Sequence, residues 1–198
     1  MAFYSQSEHL PERFANHEFL IRPLRVTDVE ADFNAVIESR EMLRVWSQSD
    51  WPSDNFSLDD NRSDLQAHQD EHESREAFTF TVLDLESGTC LGCIYIHELK
   101  RVLQALGAAD DVLRDIEALD AYVTFWVRSS QLEDGLDQRL FTVLQQWFLM
   151  EWAFERIAWG TNTADLHQQE LFLADGLKPK WRLPMAESLE SHVLYSDE

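Results

Sequence analysis

Tyr122-Val123-Thr124-Phe125-Trp126-Val127 runs straight into Arg128-Ser129-Ser130-Gln131-Leu132-Glu133-Asp134-Gly135-Leu136-Asp137, and the residue types in this stretch decide the fold. All of the first six are β-branched or aromatic, which predicts a strand. With no polar alternation, that strand is expected at the centre of a sheet, covered on both faces. The polar segment that follows holds a single glycine. Beyond it, Leu136, Leu140, Val143, Leu144, Trp147 and Phe148 recur at helical spacing, which predicts an amphipathic helix of about four turns. A strand-loop-helix junction gathers unbonded N–H groups and the positive end of the helix dipole, a geometry that suits phosphate. The side chains oppose that use, because Glu133, Asp134 and Asp137 are all acidic. Two like charges about 4 Å apart repel by roughly 1 kcal/mol in water and roughly 4 at an effective dielectric of 20. A helix N-terminus contributes about 0.3–1 kcal/mol, rising to roughly 2 in favourable geometries. The same acids can instead cap exposed amides and stabilise the helix.

Working outward, residues 1–16 read as an N-terminal arm and 17–198 as one domain. Glu18 to Leu24 reads as a first strand, and Thr27-Asp28 as a helix start followed by Val29, Phe33, Val36 and Ile37 at helical spacing. A loop from Ser47 to Asp60 carries Trp51, Pro52 and Phe56, and Ser57-Leu58-Asp59-Asp60 caps a second, largely polar helix. Ala77–Leu83 and Cys90–Ile96 read as a hairpin turned at Glu86-Ser87-Gly88. Lys100 to Ala118 is a helix-prone excursion broken at Gly107. After the long helix come a strand at Arg156–Thr161, a helix from about Ala164 to Ala174 stopped by Asp175-Gly176, and a last hairpin from Leu177 to Arg182 and His192 to Tyr195. This order predicts a mixed α/β (α+β) fold, with a mostly antiparallel central sheet of six or seven strands flanked by about four helices.

Asp and Glu total 37 against 16 Lys and Arg, a formal net charge of −21. That balance argues against nucleic acid and anionic membrane, and favours a cationic partner or substrate. No apolar run approaches the roughly 20 residues that span a bilayer, and no secretory signal opens the chain, so a cytoplasmic protein is expected. Cys90-Leu91-Gly92-Cys93 is nominally C-x-x-C, but on a strand residues three apart point to opposite faces, which predicts packing. His68-Gln69-Asp70-Glu71-His72 matches H-x-x-E-H, with both histidines on one helical face, a zinc-hydrolase pattern. The segment lacks the apolar face that a buried metal helix requires, and no metal site is assigned.

Three pieces of the chain together resemble the GNAT superfamily of acyl-CoA-dependent N-acyltransferases. Phe19-Leu20-Ile21-Arg22-Pro23-Leu24-Arg25-Val26-Thr27-Asp28 is similar to the first strand and helix entry of that family. The hairpin ending Leu91-Gly92-Cys93-Ile94 is similar to its second and third strands, and Asn162 followed by Gly176-Leu177 to its segment around the fourth helix. The resemblance implies transfer of an acyl group from acetyl-CoA to an amine. It also implies contacts to cofactor from strand backbone near Phe125 and Val127, from the loop Leu132, Glu133, Asp134, Gly135, Leu136 and Asp137, and from Asn162. This is a divergent loop, with Leu132 where the family has Arg or Gln and Asp137 where it has Gly or Ala. Tyr122 stands at the position of the usual catalytic Glu and Gln168 at that of a usual Ser; these are the catalytic candidates. Trp46, Asp50, Trp51, Glu71, Glu76 and His97 are candidates for the acceptor end, whose expected occupant is a small-molecule or peptide amine, a cationic one being favoured by the charge balance. The alternative is a catalytically silent binding or interaction protein on the same fold.

Overall fold

The computed structural model describes residues 2–185 and 190–197. Its strands are β1 (Phe14–Ala15), β2 (Phe19–Pro23), β3 (Phe78–Asp84), β4 (Cys90–Glu98), β5 (Asp120–Val127), β6 (Arg156–Asn162), β7 (Lys178–Pro184) and β8 (Ser191–Ser196). Its helices are α1 (Val29–Glu38), α2 (Arg40–Ser47), α3 (Leu58–Ser74), α4 (Leu99–Ala105), α5 (Asp110–Arg114), α6 (Leu136–Glu151) and α7 (Leu166–Ala174). The strands form a mixed, mostly antiparallel eight-stranded sheet in the order β1-β2-β3-β4-β5-β6-β8-β7. The predicted class and element order therefore hold; one more strand than expected comes from the short β1, and more helices from the division of two segments into α1/α2 and α4/α5. No helix among the described residues is long and apolar enough to cross a membrane.

The chain divides into two compact units. The first takes residues up to 95 together with 125–153. In it β1 pairs with β2, and β2 with β3, all antiparallel. The α3 helix starts where the sequence placed it: Ser57 Oγ accepts from Asp60 N, and the Asp60 carboxylate accepts from Ser57 N at 2.9 Å, a reciprocal capping box. One face of α1 closes over β3 and β4, where Ala35, Val36, Leu43, Leu83, Cys90, Cys93 and Trp126 form a buried cluster. The arm is part of this body. Phe3 and Tyr4 are buried beside Phe78, and Tyr4 lies 5.4 Å edge-on to Trp152.

Cys90 and Cys93 share that one cluster, whereas strict alternation would have sent them to opposite faces. The exception sits at Gly92, where the strand backbone is pressed against its neighbour. A Cβ there would lie 2.1 Å from Trp126 O, which only glycine avoids.

The second unit takes residues 96–124 and 154 onward. The first half of β5 pairs parallel with β6 from Asp120↔Arg156 to Val123↔Trp159. Strand β6 then pairs with β8, and β8 with β7, antiparallel. The excursion α4–α5 packs here through Leu99, Leu103 and Ile116 onto Ala158 and Leu194.

Candidate functional site

Within the first unit a cavity of about 220 Å³ opens among α1, α3, β4 and the loop after α2. Its lining includes Asp32, Trp46, Trp51, Asp64, His68 and Tyr95. Asp32 arrives on the buried face of α1, three residues after Val29 and four before Val36. It is 4% exposed. Asn61 Nδ2 donates to Asp32 Oδ2 at 3.0 Å, and the Cys93 thiol donates to Oδ1 at 3.3 Å. Among the described residues no Lys or Arg pairs with this carboxylate. Burial therefore raises its pKa, against the two hydrogen bonds that lower it.

The walls are aromatic, and their polar atoms are engaged. Trp46 Nε1 donates to Phe125 O at 3.1 Å, and Trp126 Nε1 donates to the Tyr95 hydroxyl at 3.2 Å. Burial pushes the Tyr95 phenol well above its ordinary value. Asp64 stands more exposed; partial desolvation raises its pKa, and its hydrogen bond to the Trp51 side chain opposes that. His68 sets its ring 5.5 Å from that of Tyr95, with Nδ1 3.6 Å from Glu71 Oε2. Four residues on, His72 turns into the core, edge-on to Phe78 and Phe80, and burial lowers its pKa. Among the described residues, the gathered metal-type ligand atoms are those of Asp32, Cys90 and Cys93, not of the H-x-x-E-H segment. The Cys93 thiol is kept protonated by hydrogen bonding with Cys90 and by burial.

The loop that opens α6 lies in the same unit. Residues Ser129–Gln131 make a 3-10 turn, and Gly135, at φ 68°, caps the helix. The turn is closed internally: Gln131 N donates to Arg128 O, Leu132 N to Ser129 O, and Gly135 N to Leu132 O. Ser129 N donates to Ser39 Oγ at 3.0 Å, tying the loop to the end of α1. Glu133 and Asp134 are exposed, while Leu136 and Asp137 are buried in the first turn of α6. The two neighbouring arginines are paired with acids, Arg128 with Glu38 at 3.0 Å and Arg139 with Glu18 at 2.5 Å. A diphosphate would thus meet helix backbone that suits it, beside side chains that bring no added positive charge.

The remaining candidates scatter. Trp46 and Trp51 line the cavity; Asp50 is exposed on the loop after α2, and Glu76 follows the end of α3 with its N–H bonded to Glu71 O. In the second unit, His97 is half-buried near the end of β4. Tyr122 packs against Gly160, where a Cβ would fall 2.3 Å from its ring, and burial pushes its phenol far up. Asn162 Oδ1 accepts from Ala164 N at 2.9 Å and Asp165 N at 3.1 Å, shaping the turn from β6 to α7. Buried Gln168 sits in the first turn of α7, its N–H on the capping Asp165. The sequence reading missed Asp32, Asn61, Asp64 and Tyr95. Only Asp32 left a trace there, as an acid on an otherwise apolar helix face.

The fold is GNAT-like, and solved structures of acetyltransferases match along nearly the whole chain. RimL, a ribosomal L7/L12 alpha-N-protein acetyltransferase in complex with coenzyme A, matches with a TM-score of 0.71 and 14% identity, covering 93% of this chain and 97% of its own. The ribosomal-protein-S5-alanine acetyltransferase of Vibrio fischeri matches with 0.68 and 16%, covering 94% and 96%. MccE, a microcin C7 self-immunity acetyltransferase in complex with acetyl-CoA and AMP, matches with 0.69 and 14%, covering 91% and 92%. No protein-family model matches the chain, and comparison with curated protein sequences finds no relative.

Proposed function

We propose that this chain transfers an acyl group from acetyl-CoA, or a related thioester, to an amine held in the cavity of the first unit. The observation that carries the proposal is Asp32, a buried carboxylate at a cavity wall that has only neutral hydrogen-bond donors. Such a group is poised to meet an ammonium and to take a proton from it. The fold supports the thioester half of the reaction, since RimL and MccE are acetyltransferases solved with coenzyme A and acetyl-CoA. Within the first unit, backbone around Phe125 and Val127 and the loop from Leu132 to Asp137 are the proposed cofactor contacts.

Calorimetry with acetyl-CoA, paired with an assay for the free thiol released when amines are added, tests this directly. Binding at or below millimolar concentration with amine-dependent thiol release is expected. No heat at millimolar acetyl-CoA would overturn the proposal in favour of a silent binding protein. Replacing Glu133 and Asp134 with Lys is expected to tighten acetyl-CoA binding by about tenfold, since removing two repulsive charges is worth on the order of 1 kcal/mol or more. Unchanged affinity would mean that the diphosphate never approaches this loop.

A further inference from the structure

The chemistry of the cavity narrows the class of amine. A buried carboxylate without a cation is costly, and the cost is relieved by a positive charge brought in with a ligand. Here the hydrogen-bond partners of Asp32 are an amide and a thiol; among the described residues no Lys or Arg pairs with it, and the nearby group that opposes its burial by charge is the imidazole of His68 on the same cavity. Asp64 stands beside the same cavity as a second acid. The other walls include His68, Trp46, Trp51 and Tyr95; Trp46 Nε1 is bonded to Phe125 O and Tyr95 Oη accepts from Trp126 Nε1, so carbon surface and ring π-density make up much of what the aromatic walls offer a ligand. The space is about 220 Å³. That is below the roughly 300–1,000 Å³ of sites for drug-sized ligands.

We propose that the cavity recognises a small primary amine with an apolar or aromatic body, its ammonium set against Asp32 and its body against Trp46, Trp51 and Tyr95. The proposal deepens the acyl-transfer reading and rests on it for the chemical step. In that step Asp32 takes one proton from R–NH3+, leaving R–NH2 with a free lone pair. The nitrogen forms the new N–C bond to the thioester carbonyl carbon as the C–S bond breaks with its electron pair on sulfur. The second nitrogen proton goes to the thiolate, giving the amide and a free thiol. The proton on Asp32 returns to solvent as the product leaves. The raised proton affinity of this buried carboxylate suits it to the first transfer.

Recognition is separable from catalysis and is measured without acetyl-CoA. Tryptophan fluorescence and calorimetry on the full chain would use 2-phenylethylamine as probe, with 2-phenylethanol, 3-phenylpropanoate, spermidine and a short peptide with a free N-terminal serine as comparisons. The amine is expected to bind at least tenfold more tightly than the alcohol, and the carboxylate not at all. Asp32→Asn is expected to abolish this preference while keeping the circular dichroism of the parent, and Asp64→Asn to weaken it by a few-fold. Equal binding of amine and alcohol by the unaltered protein would overturn the proposal whatever the variants do. So would tighter binding of the peptide or of spermidine, or a dialysis-resistant equivalent of zinc on Asp32, Cys90 and Cys93 that excludes the amine. Amine binding with no thiol release on adding acetyl-CoA would leave recognition standing and overturn acyl transfer alone. Thiol release whose kcat is unchanged in Asp32→Asn would overturn the role of Asp32 and leave acyl transfer intact.

Discussion

At the scale of single residues, Asp32 is where stability and function oppose each other. Its folded-state pKa is raised by burial. A carboxylate of this kind supports the fold while protonated and loses that support as pH rises through its folded value. Ionising it carries a cost, and the groups facing it are Asn61, Cys93, His68 and the like-charged Asp28. Asp32→Asn is therefore expected to stabilise the protein at pH 7 by about 0.5–2 kcal/mol. The gain should shrink as pH falls toward the ordinary carboxylate value near 3.9. Thermal denaturation of both proteins between about pH 4 and pH 8 measures it; a variant less stable than the parent at pH 7 would show that the ionised carboxylate supports the fold. Asp32 was legible only in part. Helical spacing made its neighbours Val29 and Val36 a core face, but no rule of spacing says that an acid on that face borders a cavity. Asn61, Asp64 and Tyr95 reach the same cavity from α3 and β4, a convergence that local sequence does not encode.

At the scale of elements, the strands and long helices were readable because their signals are dense. Six consecutive β-branched or aromatic residues made β5, the 3.6-residue recurrence of Leu and aromatic residues made α6, and the Ser57 to Asp60 box fixed the start of α3. What failed was alternation on β4, because period-two reasoning assumes an uninterrupted pleat. The close approach of Gly92 to Trp126 O breaks that assumption, and it makes the glycine a packing requirement. Gly92→Ala is expected to destabilise by about 1–3 kcal/mol, the usual range for overpacking. That corresponds to a fall in Tm of roughly 3–10 °C for a chain of this size. A loss under one degree in a thermal scan would mean that β4 and β5 separate easily. The loop before α6 was placed correctly from sequence as a strand-to-helix junction. Its internal hydrogen bonds were not foreseeable, since they depend on the backbone geometry at Gly135 and on Ser39, far away in sequence.

At the scale of the whole molecule, a net charge of −21 acts on any charged ligand before contact is made. Exposed charges more than about 10 Å apart are screened at roughly 0.1 M salt. The apparent KM for a cationic amine is thus expected to rise about threefold between roughly 20 and 200 mM NaCl, while that for a neutral amine analogue stays constant. A flat salt profile in steady-state kinetics would show that the acidity serves solubility and not capture.

The anchoring of Phe3 and Tyr4 bears on how the chain reaches this structure. Tyr4 Oη accepts from Ala153 N at 3.0 Å, and its ring abuts Trp152, so the start of the chain is locked by residues about three quarters of the way along it. The first unit is discontinuous, closed only when residues 125–153 join the segment that precedes 96. During synthesis the Phe3 and Tyr4 side chains must therefore wait, unburied, for the end of α6 to emerge. Contacts of such long sequence separation slow folding and prolong the interval in which apolar surface is open to aggregation. Phe3 and Tyr4 thus find their place only after residues made much later.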